Sequence, residues 1–420
     1  MPRKTDLLFP KKFLWGVATS AHQVEGGTTN QWTEWEARQA PSLAAQASYH
    51  YDDLDNWDAI AGEAKKPRNY ISAAAADHYN IYEKDMEIAR RMHCNAWRFS
   101  VEWSRIEPRE GEWDEQEIAH YRRYVEALKA RDLEPVVTLF HMTLPIWFAE
   151  MGGFETRANT RYFTRYAQRI IRALGVNVRY IITINEPEVY MKLGYQDGLY
   201  PPGKLDQRLA RRVLGNLAYA HNQAADAIHK LNRRYRVSIA KNSTYIYPGD
   251  DARLTVRAAQ AMQFRSDDMF MRRVVKTCDF LAMNYYTSER VYGYRVHNPE
   301  SPLSDLGWHM APGDIQYALE RWHDKYKKPI MITENGVADD RDDYRKWWLM
   351  TTLIAMQKAM GNGVQLLGYM HWSLLDTFEW NKGFWPHFGL VAVDRRTMKR
   401  SPRPSALWYA RALAKIRKEK

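Results

Sequence analysis

Eight short apolar runs, most of them followed by a stretch with helical spacing, constrain this 420-residue chain more than any other feature. The runs are Phe13–Thr19, Ala96–Val101, Pro135–Phe140, Ile181–Asn185, Val237–Lys241, Phe280–Tyr286, Ile330–Glu334 and Leu366–Trp372. Most are near-continuous rather than alternating, the pattern of strands buried on both faces of a parallel sheet. Between them apolar residues recur at helical intervals. Tyr79, Tyr82, Met86 and Ala89 share one face, as do Ile118, Tyr121, Val125 and Leu128. Tyr162 or Phe163 groups with Tyr166, Ile170 and Leu174, and Leu214, Leu217, Ile228 and Leu231 mark a longer helix. Trp347, Leu349, Leu353 and Met356 suggest another, and a last helix runs from about Ser405 to Ile416. This alternation predicts an α/β fold, a single (β/α)8 TIM barrel over residues 1–420. A doubly wound sheet needs fewer strands and usually a Gly-rich first turn, which the sequence lacks. The stretch from about Glu25 to Ser72 reads as an irregular loop insertion after the first strand, where barrels build their sites.

Composition narrows the function classes. The chain has 16 Trp, 26 Tyr and 13 Phe; core packing explains most of them, and flat apolar rings with a polar handle also suit sugars. The net charge of +11 is spread along the chain, with no run of five basic residues, so it reads as a solvated surface and not a nucleic-acid footprint. The two cysteines, Cys94 and Cys278, have no disulfide or metal spacing and are expected to be buried free thiols in a reducing compartment. No signal-like run follows the first residues, and no apolar stretch approaches the ~18 residues of a membrane helix, so a cytoplasmic location away from membranes is expected. A homo-oligomer is left open. No His-x-His cluster marks a strand end, so neither a metal nor a cofactor is expected.

A barrel directs attention to the C-terminal ends of its strands. The first strand is followed by "ATSAHQVEG" with His22, Gln23 and Glu25. The second carries Arg98 inside an apolar run, the third ends at His141, and the fourth ends at Asn185 and Glu186. The sixth ends at Asn284 and Tyr286, the seventh at Glu334, and the eighth at Trp372 before Glu379 and Trp380. Glu186 and Glu334 are carboxylates at the ends of strands expected to lie across the barrel from each other. Glycoside hydrolysis needs such a pair, one to protonate the leaving oxygen and one to attack the anomeric carbon or to activate water.

Several segments in this order resemble glycoside hydrolase family 1, the β-glucosidase and β-galactosidase family. They are "FLWGVATSAHQVEG", "WRFSVEWSRI", "TINEP", "ITENG", "HWSLLDTFEW", "HFGLVAVD" and "RPSALWYA", and they span nearly the whole chain. The resemblance implies retention through a covalent glycosyl-enzyme, with Glu186 as acid/base and Glu334 as nucleophile. Arg98 would favour the charged form of Glu334, and the Glu334 charge would raise the pKa of Glu186 until attack removes it. The resemblance further implies that Tyr286 hydrogen-bonds the nucleophile, that Asn185 meets the sugar 2-hydroxyl, and that Asn284 holds the network near the acid/base. Gln23, His141, Glu379 and Trp380 would grip the sugar, with Trp372 as a stacking platform.

The implied substrate is a small-molecule β-glucoside or oligosaccharide, with β-galactosides and β-fucosides as further candidates. Glu379 argues against a 6-phosphorylated sugar. Two positions depart from the family pattern: Met142 stands where many members have Trp, and His387 stands where Arg usually precedes "FG". The chain is also short for the family, which predicts an open leaving-group side. The alternatives are a transglycosylase using the same intermediate and a non-catalytic sugar-binding barrel. The presence of both glutamates weighs against the second.

Overall fold

The computed structural model describes residues 9–298 and 301–418. Eight parallel strands close into a ring: β1 (Leu14–Ala18), β2 (Ala96–Ser100), β3 (Glu134–Phe140), β4 (Tyr180–Asn185), β5 (Arg236–Pro248), β6 (Leu281–Tyr292), β7 (Ile330–Asn335) and β8 (Leu366–Trp372). Neighbours pair in sequence order, β1 pairs with β8, and the β5–β6 pairing completes the circuit. The fold is a (β/α)8 barrel. Helices follow the strands on the outside: α1 (His78–Arg91), α2 (Glu115–Lys129), α3 (Thr160–Leu174), α4 (Gln207–Leu231), α5 (Arg253–Gln263), α6 (Ile315–Tyr326), α7 (Arg345–Gly361) and α8 (Pro404–Lys418).

Two apolar layers hold this arrangement. The larger lies between strands and helices, where α3 alone buries Tyr162, Phe163, Tyr166, Ala167, Ile170, Ile171 and Leu174. The smaller fills the ring with Ala18, Ala96, Val136, Ile182, Ala240, Ala282, Met331 and Met370. Small residues dominate it because the ring is narrow. A Cβ on Gly16 of β1 would lie 2.3 Å from the Met370 sulfur and 2.7 Å from the Ala96 carbonyl oxygen.

Four expectations change. Strands β5 and β6 run well beyond the predicted Val237–Lys241 and Phe280–Tyr286, pairing from Tyr245–Ser288 to Pro248–Val291 outside the barrel proper. Their outer halves alternate in burial, so the sequence there lacks the continuous apolar signature. Trp347 faces solvent, and its neighbour Trp348 takes the buried place on α7. Strands β4 and β7 are not opposite each other, since only β5 and β6 separate them. The stretch from Glu25 to Ser72 is largely helical, with Gln31–Ala45, Ala47–Tyr51 and Trp57–Ala64. Its first helix starts from a reciprocal cap: the Asn30 side chain accepts from the Trp32 and Thr33 amides, and the Thr33 hydroxyl accepts from the Asn30 amide. An Asn-x-x-Thr pair is a less familiar start signal than Ser-x-x-Glu, and Pro41 inside the helix obscures it further.

The cap joins the insertion to the barrel, because the Asn30 side-chain Nδ2 donates to Glu102 just past β2 at 3.3 Å. Asn30→Ala is expected to lower unfolding free energy by about 1 kcal/mol or more. Urea titration would show this as a reduced midpoint at unchanged slope, and an unaltered midpoint would contradict it.

Candidate active site

Alternation along the strands places chemistry directly above the inner apolar layer. Two residues on from Ala96, Ala240, Ala282, Met331 and Met370 stand Arg98, Asn242, Asn284, Thr333 and Trp372. Strict alternation would leave Asn185 facing outward, but the β4–β5 register shifts between Ile182 and Asn185. Similar shifts occur at Met283/Asn284 between β6 and β7 and at Ile332/Asn335 between β7 and β8. Such irregularities re-aim side chains at sheet ends. Here they let Thr333 and Glu334 both reach inward, while Asn335 turns out to the Tyr285 carbonyl and the Trp348 indole. Glu186 adopts a left-handed backbone, φ 46° and ψ 61°, at the start of the short helix Pro187–Met191.

Glu334 is gripped from two sides. Arg98 donates Nη1 to Glu334 Oε1 at 2.5 Å, and the Tyr286 hydroxyl donates to Oε2 at 2.7 Å. The guanidinium is 1% exposed and spends its other donors on the Thr333 carbonyl, Asn185 Oδ1 and the Thr138 hydroxyl. Burial and the Glu334 charge push the Tyr286 hydroxyl well above the ordinary phenol range, so it stays a donor.

Glu186 is held differently. Asn284 and Asn242 both donate amide hydrogens to its Oε1, at 2.8 and 3.1 Å. Burial first, and the Glu334 charge second, raise its pKa to about 7. The sequence reasoning named only the second cause. Asn284 also donates to Asn185 Oδ1 at 3.1 Å and accepts from the Thr333 hydroxyl at 2.7 Å. One hydrogen-bonded chain therefore runs from Glu334 through Arg98, Asn185 and Asn284 to Glu186.

Both carboxyl groups line a cavity of about 550 Å³, together with Gln23, His141, Asn185, Tyr286, Trp372, Glu379 and Trp380. Arg98 and Asn284 lie beneath it. The Gln23 amide donates to the Phe378 carbonyl at 2.8 Å and to Glu379 at 3.4 Å, and Ser20 orients it from behind at 2.6 Å. Burial, with the Glu334 and Glu186 charges, raises Glu379 to about 8. The His141 ring lies nearly parallel to Trp372 and Trp380, with centroids 6.0 and 6.2 Å away. Burial and Arg98 hold His141 well below its ordinary range, so it is a neutral imidazole. His22 stays outside the cavity. It stacks behind Trp380 at 5.6 Å and bonds Glu36 at 2.7 Å.

Of the two departures from the family pattern, Met142 lines the cavity, at φ 71°. His387 lies outside it, 2.8 Å from Asp340. Asn242, Trp308 and Lys382 also line the cavity and were missed. Asn242 was legible as the inward position two beyond Ala240. Trp308 lies on a loop and Lys382 on the single 3-10 turn Trp380–Lys382, where no strand register indicates direction.

The family model described as Glycosyl hydrolase family 1 matches residues 5–276 and 254–418. The chain is 29% identical to β-glucosidase A of Thermotoga maritima over 96% of its length and 97% of that protein's. Among solved structures, a β-glycosidase from Pyrococcus horikoshii superposes with a TM-score of 0.85 at 30% identity, covering 98% of this chain and 96% of that one. The Thermotoga maritima β-glucosidase in complex with glucoimidazole gives 0.85 at 27% identity, covering 98% and 99%.

Carboxyl groups that titrate high when folded hold protons that the unfolded chain has released, so they withdraw stability as pH rises through their folded pKa. Buried neutral histidines such as His120, at about 4, act only below the ordinary histidine range. The melting-temperature gain of Glu379→Gln over the parent should therefore grow between pH 6 and pH 9. An equal offset at both would contradict the raised pKa.

Proposed function

The chain belongs to glycosyl hydrolase family 1 and is a retaining β-glycosidase, and from that premise we propose that Glu186 is its general acid/base and Glu334 its nucleophile. The observation that carries this assignment is the unequal treatment of the two carboxyl groups. Glu334 is bound by a guanidinium and a phenol, whereas Glu186 receives only amides. Both amides meet Glu186 Oε1, which leaves Oε2 to carry the proton to the glycosidic oxygen.

In the first step Glu334 attacks the anomeric carbon as Glu186 protonates the departing oxygen, and the C–O bond to the leaving group breaks. Arg98 holds the attacking carboxylate in place. Asn185, oriented by Arg98 at 2.6 Å, meets the 2-hydroxyl, where hydrogen bonds strengthen in the transition state. Esterification removes the Glu334 charge and with it one cause of the raised Glu186 pKa. Glu186 then takes a proton from water, which attacks the anomeric carbon and releases Glu334.

The glycone we assign is an unphosphorylated β-glucoside, supported by the β-glucosidase relatives. Gln23 and Glu379, side by side, suit neighbouring hydroxyls, and Trp372 offers the sugar an aromatic face. Trp308, 42% exposed and edge-on to Tyr286, offers a surface for varied leaving groups. We also assign the whole chain to one catalytic domain. The buried free thiols Cys94 and Cys278 fit a cytoplasmic enzyme.

On a panel of nitrophenyl glycosides, activity is expected on the β-glucoside or β-galactoside. Glu334→Gln should lose about three orders of magnitude or more in kcat. For the parent, kcat/KM should decline as pH rises through about 7, where Glu186 loses its proton. Full activity in the variant would overturn the roles.

A further inference from the structure

Behind the acid/base lies a group of charges that the reaction does not use. Lys241 occupies β5 next to Asn242, so alternation sends the two side chains to opposite faces of the sheet. Asn242 reaches the cavity, while Lys241 enters the sheet–helix interface at 2% exposure. That layer is mostly apolar, and lysine is almost never fully buried there without partners. Its ammonium lies 3.3 Å from Glu188, two residues past Glu186, and 3.6 Å from Asp267 on the π-helical turn Phe264–Asp268. It also donates to the Asn242 carbonyl.

Asp267 is fixed in turn. Its Oδ2 accepts from Ser243, Gln263 and the Trp322 indole at 2.9, 3.1 and 3.0 Å, and Arg321 lies at 3.3 Å. Gln263 also bonds the Thr244 carbonyl and the Ile246 amide, bracing β5 where its register with β6 shifts.

We propose that Lys241, clamped between Glu188 and Asp267, is a positioning residue for the acid/base, fixing the Asn242 amide on Glu186 and setting how readily Glu186 gives up its proton. The inference rests on Glu186 as acid/base. The ammonium acts in two ways. Its bond to the Asn242 carbonyl fixes the backbone from which the Asn242 amide reaches Glu186 Oε1. Its charge, close to the end of β4, favours the anionic form of Glu186. The groups facing it are Glu188 from Pro187–Met191, Asp267 with its partner Arg321 of α6, and Glu186 itself. With the ammonium absent, Glu186 would hold its proton to higher pH and be less well aimed.

The test compares two leaving groups. A 2,4-dinitrophenyl β-glucoside departs without protonation, whereas a phenyl β-glucoside needs the acid. In Lys241→Met, kcat/KM at pH 6 should fall by about tenfold for the phenyl glycoside, part of the 10²–10⁴ that acid–base catalysis supplies. It should change by less than about threefold for the dinitrophenyl glycoside, and the alkaline limb of the profile should move upward. Should that variant fail to fold, Lys241→Leu/Glu188→Leu removes both charges, leaves Asp267 to Arg321, and should show the same split between substrates, with a smaller upward shift because the lost carboxylate offsets the lost ammonium. Equal losses on both substrates, or an unmoved alkaline limb, would overturn the inference. Parent enzyme that shows no dependence on leaving-group acidity or on pH near 7 would instead overturn the role of Glu186.

Discussion

A guanidinium buried inside a closed sheet is the interaction on which the site depends. Taking a charge out of water costs several kcal/mol, and it persists only where partners of good geometry replace the water. Arg98 meets that demand with a carboxylate, a backbone carbonyl, an amide oxygen and a hydroxyl, drawn from β3, β4 and β7. Each partner is thereby fixed by the same cation. Glu334 and Asn185, which we assign to adjacent atoms of a sugar, share a single anchor. A truncation of Arg98 would leave Glu334 buried with no ion-pair partner, a change more costly than the pair's net worth.

The barrel makes this geometry possible by offering eight parallel strand ends around a narrow interior. Regular alternation builds the small-residue layer and then raises Arg98, Asn242, Asn284 and Trp372 onto one level. Irregular register does the rest, bringing Asn185 and Glu334 inward at positions where strict pleating would turn them away. The outer helices contribute too. Trp348 of α7 bonds Asn335 and so helps fix the turn of β7 beyond Glu334. A Cβ on Gly336 would lie 1.8 Å from the Trp372 carbonyl oxygen, so only glycine lets β7 pass so close to β8.

Much of this was legible in the sequence, for physical reasons. Strands buried on both faces are written as continuous apolar runs, and polar residues at their ends stand out against them. Arg98, Asn185, Glu186, Asn284, Tyr286 and Glu334 were all found in this way. The outer halves of β5 and β6 were not, because half-exposed strands mix polar and apolar residues. The helices after β1 were hidden by Pro41 and by a cap of unfamiliar composition. That β4 and β7 are three steps apart round the ring, rather than opposite, follows from the sequential strand order of an eight-stranded barrel, in which only strands four steps apart are opposite. Lys241 ends an apolar run and Glu188 follows the fourth strand with nothing local to link them, and only the tertiary structure shows them facing each other beneath the site.

The central claim is that Glu334 forms the bond to the sugar. An activated 2-deoxy-2-fluoro-β-glucoside slows the second displacement more than it slows loss of a good leaving group, so the intermediate should accumulate. Mass spectrometry of the digested protein should then find one fluoroglycosyl group on the peptide containing Ile330–Asn335, attached to Glu334. Attachment to Glu186 or Glu379, or turnover of an ordinary β-glucoside with no covalent adduct, would contradict it.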